Sequence, residues 1–249
     1  MSSPGSEVLS WLTEQGVQVA GAAPVAALAG APAGRSPTDW LPGARSVVIF
    51  GLPVPRGVFR AAAQKEAFYG RAASLLYRRL DTLALEAAAL LEEAGGAALP
   101  IPGCFPYDFQ PGGRFQGFLS LTSLAQAAGL GVRGRSGLLL HPVYGPRLIL
   151  GGVVAEAEVP PLAPAPAAAG CPPECRKCQE VCPVGALTGE GPVDGPACTR
   201  ASTLSPLYRF LKRAGAAKQG EEGILNLTTA VDDHSWYTCL ECVAACPLT

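Results

Sequence analysis

Residues 175–183 read CRKCQEVCP and residues 239–247 read CLECVAACP, so the pattern Cys-x-x-Cys-x-x-x-Cys-Pro occurs twice. Eight of the nine cysteines lie in the last third of this 249-residue chain, in two echoing runs. The runs are Cys171, Cys175, Cys178 and Cys182, followed by Cys198, Cys239, Cys242 and Cys246. Eight thiols divide into two sets of four, which predicts two metal sites of equal ligand number.

Both runs have the spacing of iron-sulfur ligands. Two or three residues between cysteines let one loop wrap a cubane cluster, while the cysteine before the proline ligates the neighbouring cluster. We therefore predict two 4Fe-4S clusters. One would be held by Cys171, Cys175, Cys178 and Cys246, and the other by Cys182, Cys198, Cys239 and Cys242. Zinc remains the main alternative, although zinc ribbons do not require the third cysteine and its proline. Disulfides suit short secreted chains instead.

Two departures weaken the match to the iron-sulfur pattern. The gap between Cys171 and Cys175 has three residues, including Pro172 and Pro173, so the loop must be kinked. The second run has Trp236 where its first ligand would fall, and the distant Cys198 must substitute. Cys104, which lies apart from both runs, is interpreted as a small buried hydrophobic residue.

Composition limits the classes of partner. Charged residues make up 16% of the chain, against roughly 25% in a typical globular protein, and the formal net charge is −1. This lack of basic excess argues against a polyanionic partner. The N-terminus carries Glu7 and Glu14 without early basic residues, so it does not look like a signal peptide. No apolar run is long enough for a membrane span. Unpaired cysteines then indicate the cytoplasm.

Hydrophobic periodicity divides the chain into a large and a small part. It predicts helices at 5–17, 60–94 (or a broken pair there) and 118–129, and strands at 46–54, 96–102, 137–140 and 147–159. Seven leucines are the predicted apolar positions of the long helix: Leu75, Leu76, Leu80, Leu83, Leu85, Leu90 and Leu91. A Pro/Ala stretch at 161–170 is the predicted linker between a domain at 1–160 and the cluster domain at 171–249.

A glycine-rich segment, AGLGVRGRSGLLLHPVYGPR at 128–147, precedes the cysteine runs. Three further segments, before and after it, belong to the same pattern: WLTEQGVQVAGAA (11–23), ARSVVIFGLPV (44–54) and ACTRASTLSP (197–206). Together these segments resemble the epoxyqueuosine reductases and, more distantly, the corrinoid-dependent reductive dehalogenases. The resemblance implies an α+β chain, with a nitroreductase-like α/β sandwich domain that holds cobalamin, followed by a small ferredoxin-like domain with the two clusters.

The same resemblance implies a cofactor site and an electron route. The backbone of six consecutive residues would border the corrinoid: Gly131, Val132, Arg133, Gly134, Arg135 and Ser136. Glycine suits this role because a flat macrocycle requires close backbone approach. A low-potential donor such as ferredoxin or flavodoxin would reduce the clusters, and the clusters would reduce the corrinoid or, through it, a small-molecule substrate. His141 and His234 are interpreted as structural.

The chain departs from that family at several positions. The family's catalytic aspartate is expected within GRFQGFLSLTS (113–123), which has no acid; Asp108 is the nearest. Arg71, Ala72 and Ala73 replace an Asp-Tyr-His group, while Val132 and Arg135 replace a tryptophan and a lysine. The sequence ends three residues past Cys246, before the helical-repeat extension of the tRNA-modifying enzymes. These features predict that tRNA is not the substrate. They leave two alternatives open, a non-catalytic electron-transfer or cobalamin-handling module and a flavin-dependent iron-sulfur reductase.

Overall fold

A computed structural model describes residues 4–93, 95–104, 108–110, 114–161, 170–189, 193–204, 236–237 and 239–249. Its helices are α1 (Pro4–Glu14), α2 (Pro37–Trp40), α3 (Arg56–Arg60), α4 (Lys65–Glu93), α5 (Leu121–Ala127), α6 (Lys177–Glu180), α7 (Gly195–Ser202) and α8 (Glu241–Ala244). Its strands are β1 (Val19–Pro24), β2 (Ser46–Pro53), β3 (Ala98–Ile101), β4 (Asp108–Gln110), β5 (Arg114–Gln116), β6 (Val132–Arg133), β7 (Leu139–Leu140), β8 (Leu148–Ala155), β9 (Thr203–Leu204) and β10 (Trp236–Tyr237).

The centre of the fold is a four-stranded sheet in the order β1-β2-β8-β3. Each of its neighbouring pairs is antiparallel, and β2 pairs with β8 from Ser46 opposite Ala155 to Pro53 opposite Leu148. Every residue of β2 from Ser46 to Leu52 is buried, which explains its nearly continuous apolar sequence. The predicted strands at 46–54 and 96–102 are confirmed.

Helices cover both faces of this sheet. Val48 and Phe50 of β2 pack in one apolar cluster with side chains of α1 and α4. Val47 and Ile49, which alternate with them along the strand, pack in a second cluster with Leu124 of α5. The mixed helix and sheet architecture is therefore confirmed, whereas the more specific nitroreductase-like and ferredoxin-like description stays a prediction.

The long helix differs from its prediction in detail. Residues Lys65–Glu93 form one uninterrupted helix of 29 residues rather than a broken pair. Leu80, Leu83 and Leu91 are buried as predicted, but Leu75 and Leu85 are 48% and 62% exposed, so their assignment to the apolar face was wrong. Alanines take much of that face instead: Ala73, Ala84, Ala87 and Ala88.

Two further helix predictions agree with the structure. Helix α1 buries Val8, Leu9 and Leu12 within the predicted range. Helix α5 ends just before Gly129, whose φ of 73° is a conformation that glycine adopts without strain. Among the described helices, none combines the length and the hydropathy needed to cross a bilayer.

The cysteine-rich segment packs against the apolar side chains of α1 and α4. Leu240 and Val243, from the second cysteine run, are buried in the apolar cluster that α1 and α4 share. Most of the predicted linker, residues 162–169, lies outside the described residues. The domain boundaries at 160 and 171 therefore stay predictions.

Candidate iron-sulfur centre

The two cysteine runs share one local backbone structure. Arg176 and Leu240, which follow the first cysteine of each Cys-x-x-Cys, have φ and ψ of −125° and 7°, and of −128° and 3°. A four-residue helix follows each of them. The amide of Cys182 then donates to the carbonyl of Gln179 at 3.2 Å, and the amide of Cys246 to that of Val243 at 3.1 Å. The sequence repeat is therefore also a structural repeat.

A first group of thiols surrounds the buried Cys178. Burial raises the pKa of Cys178, and the nearby thiols of Cys171, Cys175 and Cys246 raise it further. The pKa of Cys246 is raised by burial and then by Cys171 and Cys175, against lowering by a backbone hydrogen bond and Lys177. Cys246 belongs to the second run, so the structure brings the last cysteine of that run to three cysteines of the first.

A second group lines a cavity of about 260 Å³. Its four thiols belong to Cys182, Cys198, Cys239 and Cys242. Burial and the thiols of Cys198 and Cys239 raise the pKa of Cys242 to about 12. Burial and Cys239 also raise the pKa of Cys198, which the side chain of Ser202 partly offsets. Cys198 thus lies beside the second run although about forty residues separate it from Cys239.

The two groups are neighbours. The thiol of Cys178, in the first group, contributes to the raised pKa of Cys242, in the second. Four thiols packed together oppose ionisation unless a cation neutralises them, and a bound cation inverts this pKa logic. Both groups therefore have the donor chemistry for a thiolate-bound metal centre.

The spacing of these thiols bears on the zinc alternative. Among the described residues, no group of three or more His, Cys, Asp or Glu side chains is arranged to hold a single metal ion. A zinc ion draws its sulfurs to about 2.3 Å from one centre. A cubane cluster is larger than one ion and needs its four thiolates farther apart. Zinc and 4Fe-4S clusters both stay predictions for these cysteines.

The glycine-rich segment has an internal reason for its glycines. Strands β6 and β7 form a hairpin in which Val132 pairs with Leu140. A β-carbon at Gly131 would lie 2.4 Å from the carbonyl oxygen of Leu140, and one at Gly134 would lie 3.0 Å from the Leu140 side chain. Hairpin packing alone therefore requires glycine at position 131, while a side chain at position 134 would force the Leu140 side chain to shift. No cradle for a macrocycle is visible at the two positions, and the predicted contact of residues 131–136 with cobalamin stays a prediction.

The same segment lies against both cysteine groups. Arg133, Ser136 and Gly137 line the cavity of the second group. The amide of Arg135 points at the sulfur of Cys171 in the first group, with 3.4 Å between N and Sγ. The structure thus places the predicted cofactor segment beside the cysteines.

Two side chains of α4 with raised pKa values were missed by sequence reasoning, and one of them, Tyr69, lies near the cysteines. Tyr69 of α4 has a raised pKa because of burial and then the thiols of Cys242 and Cys239. Asp81, also on α4, has its pKa raised by burial although it accepts a hydrogen bond from the amide of Gly103 at 3.0 Å. Neither belongs to a motif. Their places follow from the packing of α4, which the sequence pattern does not reveal.

The sequence also singled out two histidines, Cys104 and Asp108, and the structure describes the surroundings of His141 and Cys104. Nδ1 of His141 accepts hydrogen bonds from the amides of Val143 and Tyr144, at 3.1 and 3.3 Å, which supports the interpretation of a structural residue. Cys104 is half-buried and near enough to Tyr69 to affect its pKa. His234 and the side chain of Asp108 lie outside the described residues.

Comparison with known proteins supports the resemblance in sequence and in fold. No protein-family model matches the chain. An epoxyqueuosine reductase of Listeria monocytogenes is 37% identical over 82 residues, which cover 33% of this chain and 21% of that protein. A crystal structure of an epoxyqueuosine reductase labelled with selenomethionine superposes with a TM-score of 0.58 at 20% identity, over 97% of this chain and 64% of that chain. The resemblance to epoxyqueuosine reductases is confirmed, and the chain spans less than two thirds of these relatives.

The prediction that tRNA is an unlikely partner is wrong. A crystal structure of an epoxyqueuosine reductase with an epoxyqueuosine-modified tRNA-Tyr stem loop matches 97% of this chain and 64% of that chain, at 19% identity and a TM-score of 0.55. A net charge of −1 sums the whole surface, whereas a stem loop touches only one face of a protein. The position of the last residue excludes no RNA contact either.

Proposed function

We propose that the chain is an iron-sulfur oxidoreductase of the epoxyqueuosine reductase type. Two 4Fe-4S clusters lie side by side and carry electrons to another cofactor, which reduces the substrate. The observation that carries this proposal is the interleaving of the cysteines, in which Cys246 joins the first run and Cys182 joins the second. Such exchange is the ligand pattern of two-cluster ferredoxins.

Epoxyqueuosine in tRNA is the first substrate to test. The relatives are named for its reduction, and one of them is known with a modified tRNA stem loop. Reduction of an epoxide consumes two electrons and two protons. Two clusters that each deliver one electron match this requirement.

Cobalamin is the proposed group between the clusters and the substrate. The resemblance is what supports this proposal. The described residues show no macrocycle cradle at Gly131 or Gly134. Bound cobalamin would supply cobalt chemistry at low potential, while the protein contributes binding and orientation. Flavin is the alternative group for the same position.

A second candidate function is an electron-transfer or cobalamin-handling module without its own substrate. It is favoured by the stretch 113–123, which lacks the acid expected of a proton donor. Such a module would reduce cobalamin and pass it on.

The cluster proposal predicts about eight iron and eight sulfide per chain after anaerobic reconstitution, because two cubane clusters contain that many atoms. Metal and acid-labile sulfide analysis, with electron paramagnetic resonance of the reduced protein, measures this. A protein that takes up zinc and no sulfide would be a zinc protein instead.

The substrate proposal predicts turnover of an epoxyqueuosine-modified tRNA stem loop by the reconstituted protein with cobalamin and a low-potential reductant. The matched control is the same stem loop without the epoxide. Protein that binds flavin mononucleotide and ignores cobalamin supports the flavin alternative. Protein that reduces cobalamin but leaves the stem loop unchanged supports the handling module.

A further inference from the structure

We propose that Arg135 is a positioning residue that fastens the loop of the first cluster and raises the reduction potential of that cluster. This inference rests on the proposed function, since it requires a cluster at Cys171, Cys175, Cys178 and Cys246. It concerns a residue that the resemblance assigns to a different role, backbone contact with the corrinoid.

The loop between Cys171 and Cys175 has little hydrogen bonding of its own. It contains Pro172 and Pro173, which have no amide proton to donate, and its one local bond runs from the Cys175 amide to the Pro172 carbonyl at 3.0 Å. Residues 172–174 are exposed, so their carbonyl groups can accept hydrogen bonds from water or from donors elsewhere in the chain.

The guanidinium of Arg135 supplies those donors. Its Nη1 donates to the carbonyl oxygens of Pro172 at 2.8 Å and Cys175 at 3.3 Å, and its Nη2 donates to that of Pro173 at 2.8 Å. A planar fork with several N–H groups fits three carbonyls at once, which a lysine ammonium cannot reproduce. Because Arg135 lies in the β6–β7 hairpin, these bonds also tie the hairpin to the cluster loop.

Arg135 also acts on the first cluster electrostatically. Its amide approaches the Sγ of Cys171 at 3.4 Å. Its positively charged guanidinium contacts the loop that carries the proposed ligands Cys171 and Cys175. Hydrogen bonds to the sulfurs and nearby charge tune cluster potentials, and a cation favours the more negative, reduced state. When reductant gives one electron to this cluster, Arg135 therefore stabilises the product.

A second arginine overlaps with part of this contact. Nη1 of Arg176 donates to the carbonyls of Pro173 at 3.0 Å and Cys175 at 3.2 Å. It does not reach Pro172 or the hairpin, and its side chain is exposed. Arg176 alone cannot link the two segments, which makes Arg176→Ala a milder variant.

The test compares Arg135→Ala, Arg135→Lys and Arg176→Ala with the wild type, all reconstituted anaerobically in the full chain. The control is Arg79→Ala, since Arg79 is an exposed arginine whose Nη2 also bonds a carbonyl, that of Gln15 at 2.6 Å. Iron release to a chelator and potentiometric titration followed by electron paramagnetic resonance are the two readouts. The first-cluster signal is identified as the one that Cys171→Ser removes.

Arg135→Ala should release iron of the first cluster about tenfold faster and shift its midpoint potential to more negative values, while the second cluster's signal stays unchanged. Arg135→Lys should release iron faster yet keep a potential near the wild type, because it retains the charge and loses the fork. Arg176→Ala should change both readouts less than Arg135→Ala does.

The inference is overturned if Arg135→Ala matches Arg79→Ala in both readouts, or if its release rate changes and its potential does not. The unchanged second cluster reports that the variant has folded. A wild type that assembles no cluster at all would instead defeat the proposed function, so the two failures are distinguishable.

Discussion

Replacing Cys178 with serine should lower the iron content of the reconstituted protein from about eight to about four atoms per chain. Cys178 is the buried member of the first group, and the thiols of Cys171, Cys175 and Cys246 lie near it. Removing this ligand leaves three thiolates where a cubane cluster needs four. Iron and sulfide analysis measures the loss, and Cys104→Ser is the matched control that should keep about eight.

The identity of the lost cluster tests the interleaving of the two runs. Cys246→Ser should remove the same paramagnetic signal as Cys178→Ser, although the two cysteines come from different runs. Cys198→Ser should remove the other signal. If Cys246→Ser and Cys198→Ser remove the same signal, each run holds its own cluster and the proposed ligand sets are incorrect.

The proposed grouping starts from ligand spacing, which is a local property of the sequence. A Cys-x-x-Cys-x-x-x-Cys-Pro segment fixes a turn, a short helix and an outward last cysteine, whatever the rest of the chain does. The matching backbone angles at Arg176 and Leu240 show this local control. Strand β2 was predictable for a similar reason, since a continuous apolar run between turn residues indicates a buried strand.

The residues on the buried face of α4 were harder to predict from the sequence. The leucines were assigned to it by hydrophobicity, but close packing on the sheet favours small residues. A β-carbon at Gly151 of β8 would lie 3.2 Å from the β-carbon of Leu80, so the helix lies close to the strand. Ala84 and Ala87 fit that distance, while Leu85 points to solvent.

The role of Arg135 was beyond sequence reasoning because it depends on tertiary structure. Its carbonyl partners lie 37 to 40 residues away along the chain. The resemblance assigned only a backbone role to this position. The glycines at 131 and 134 show the same limit, since sequence alone does not distinguish a glycine that faces a cofactor from one that faces Leu140.

Leu240→Ala should lower the free energy of unfolding by about 2–5 kcal/mol and speed the loss of cluster absorbance. Leu240 is 1% exposed and packs in the apolar cluster of α1 and α4, and in the sequence it lies between the proposed ligands Cys239 and Cys242. Truncating it leaves a cavity where the cysteine-rich segment meets α1 and α4. Anaerobic urea denaturation of the reconstituted protein, followed by circular dichroism and by cluster absorbance, measures both effects.

Leu85→Ala is the matched control, because Leu85 is 62% exposed on α4 and its removal should change the free energy of unfolding by less than about 0.5 kcal/mol. Leu240 holds the place in the second run that the exposed Arg176 holds in the first. The two runs therefore share a backbone but differ in packing at this position, since Leu240 contacts the core and Arg176 contacts solvent. Equal urea midpoints for Leu240→Ala and Leu85→Ala would mean that the core does not stabilise the cluster segment.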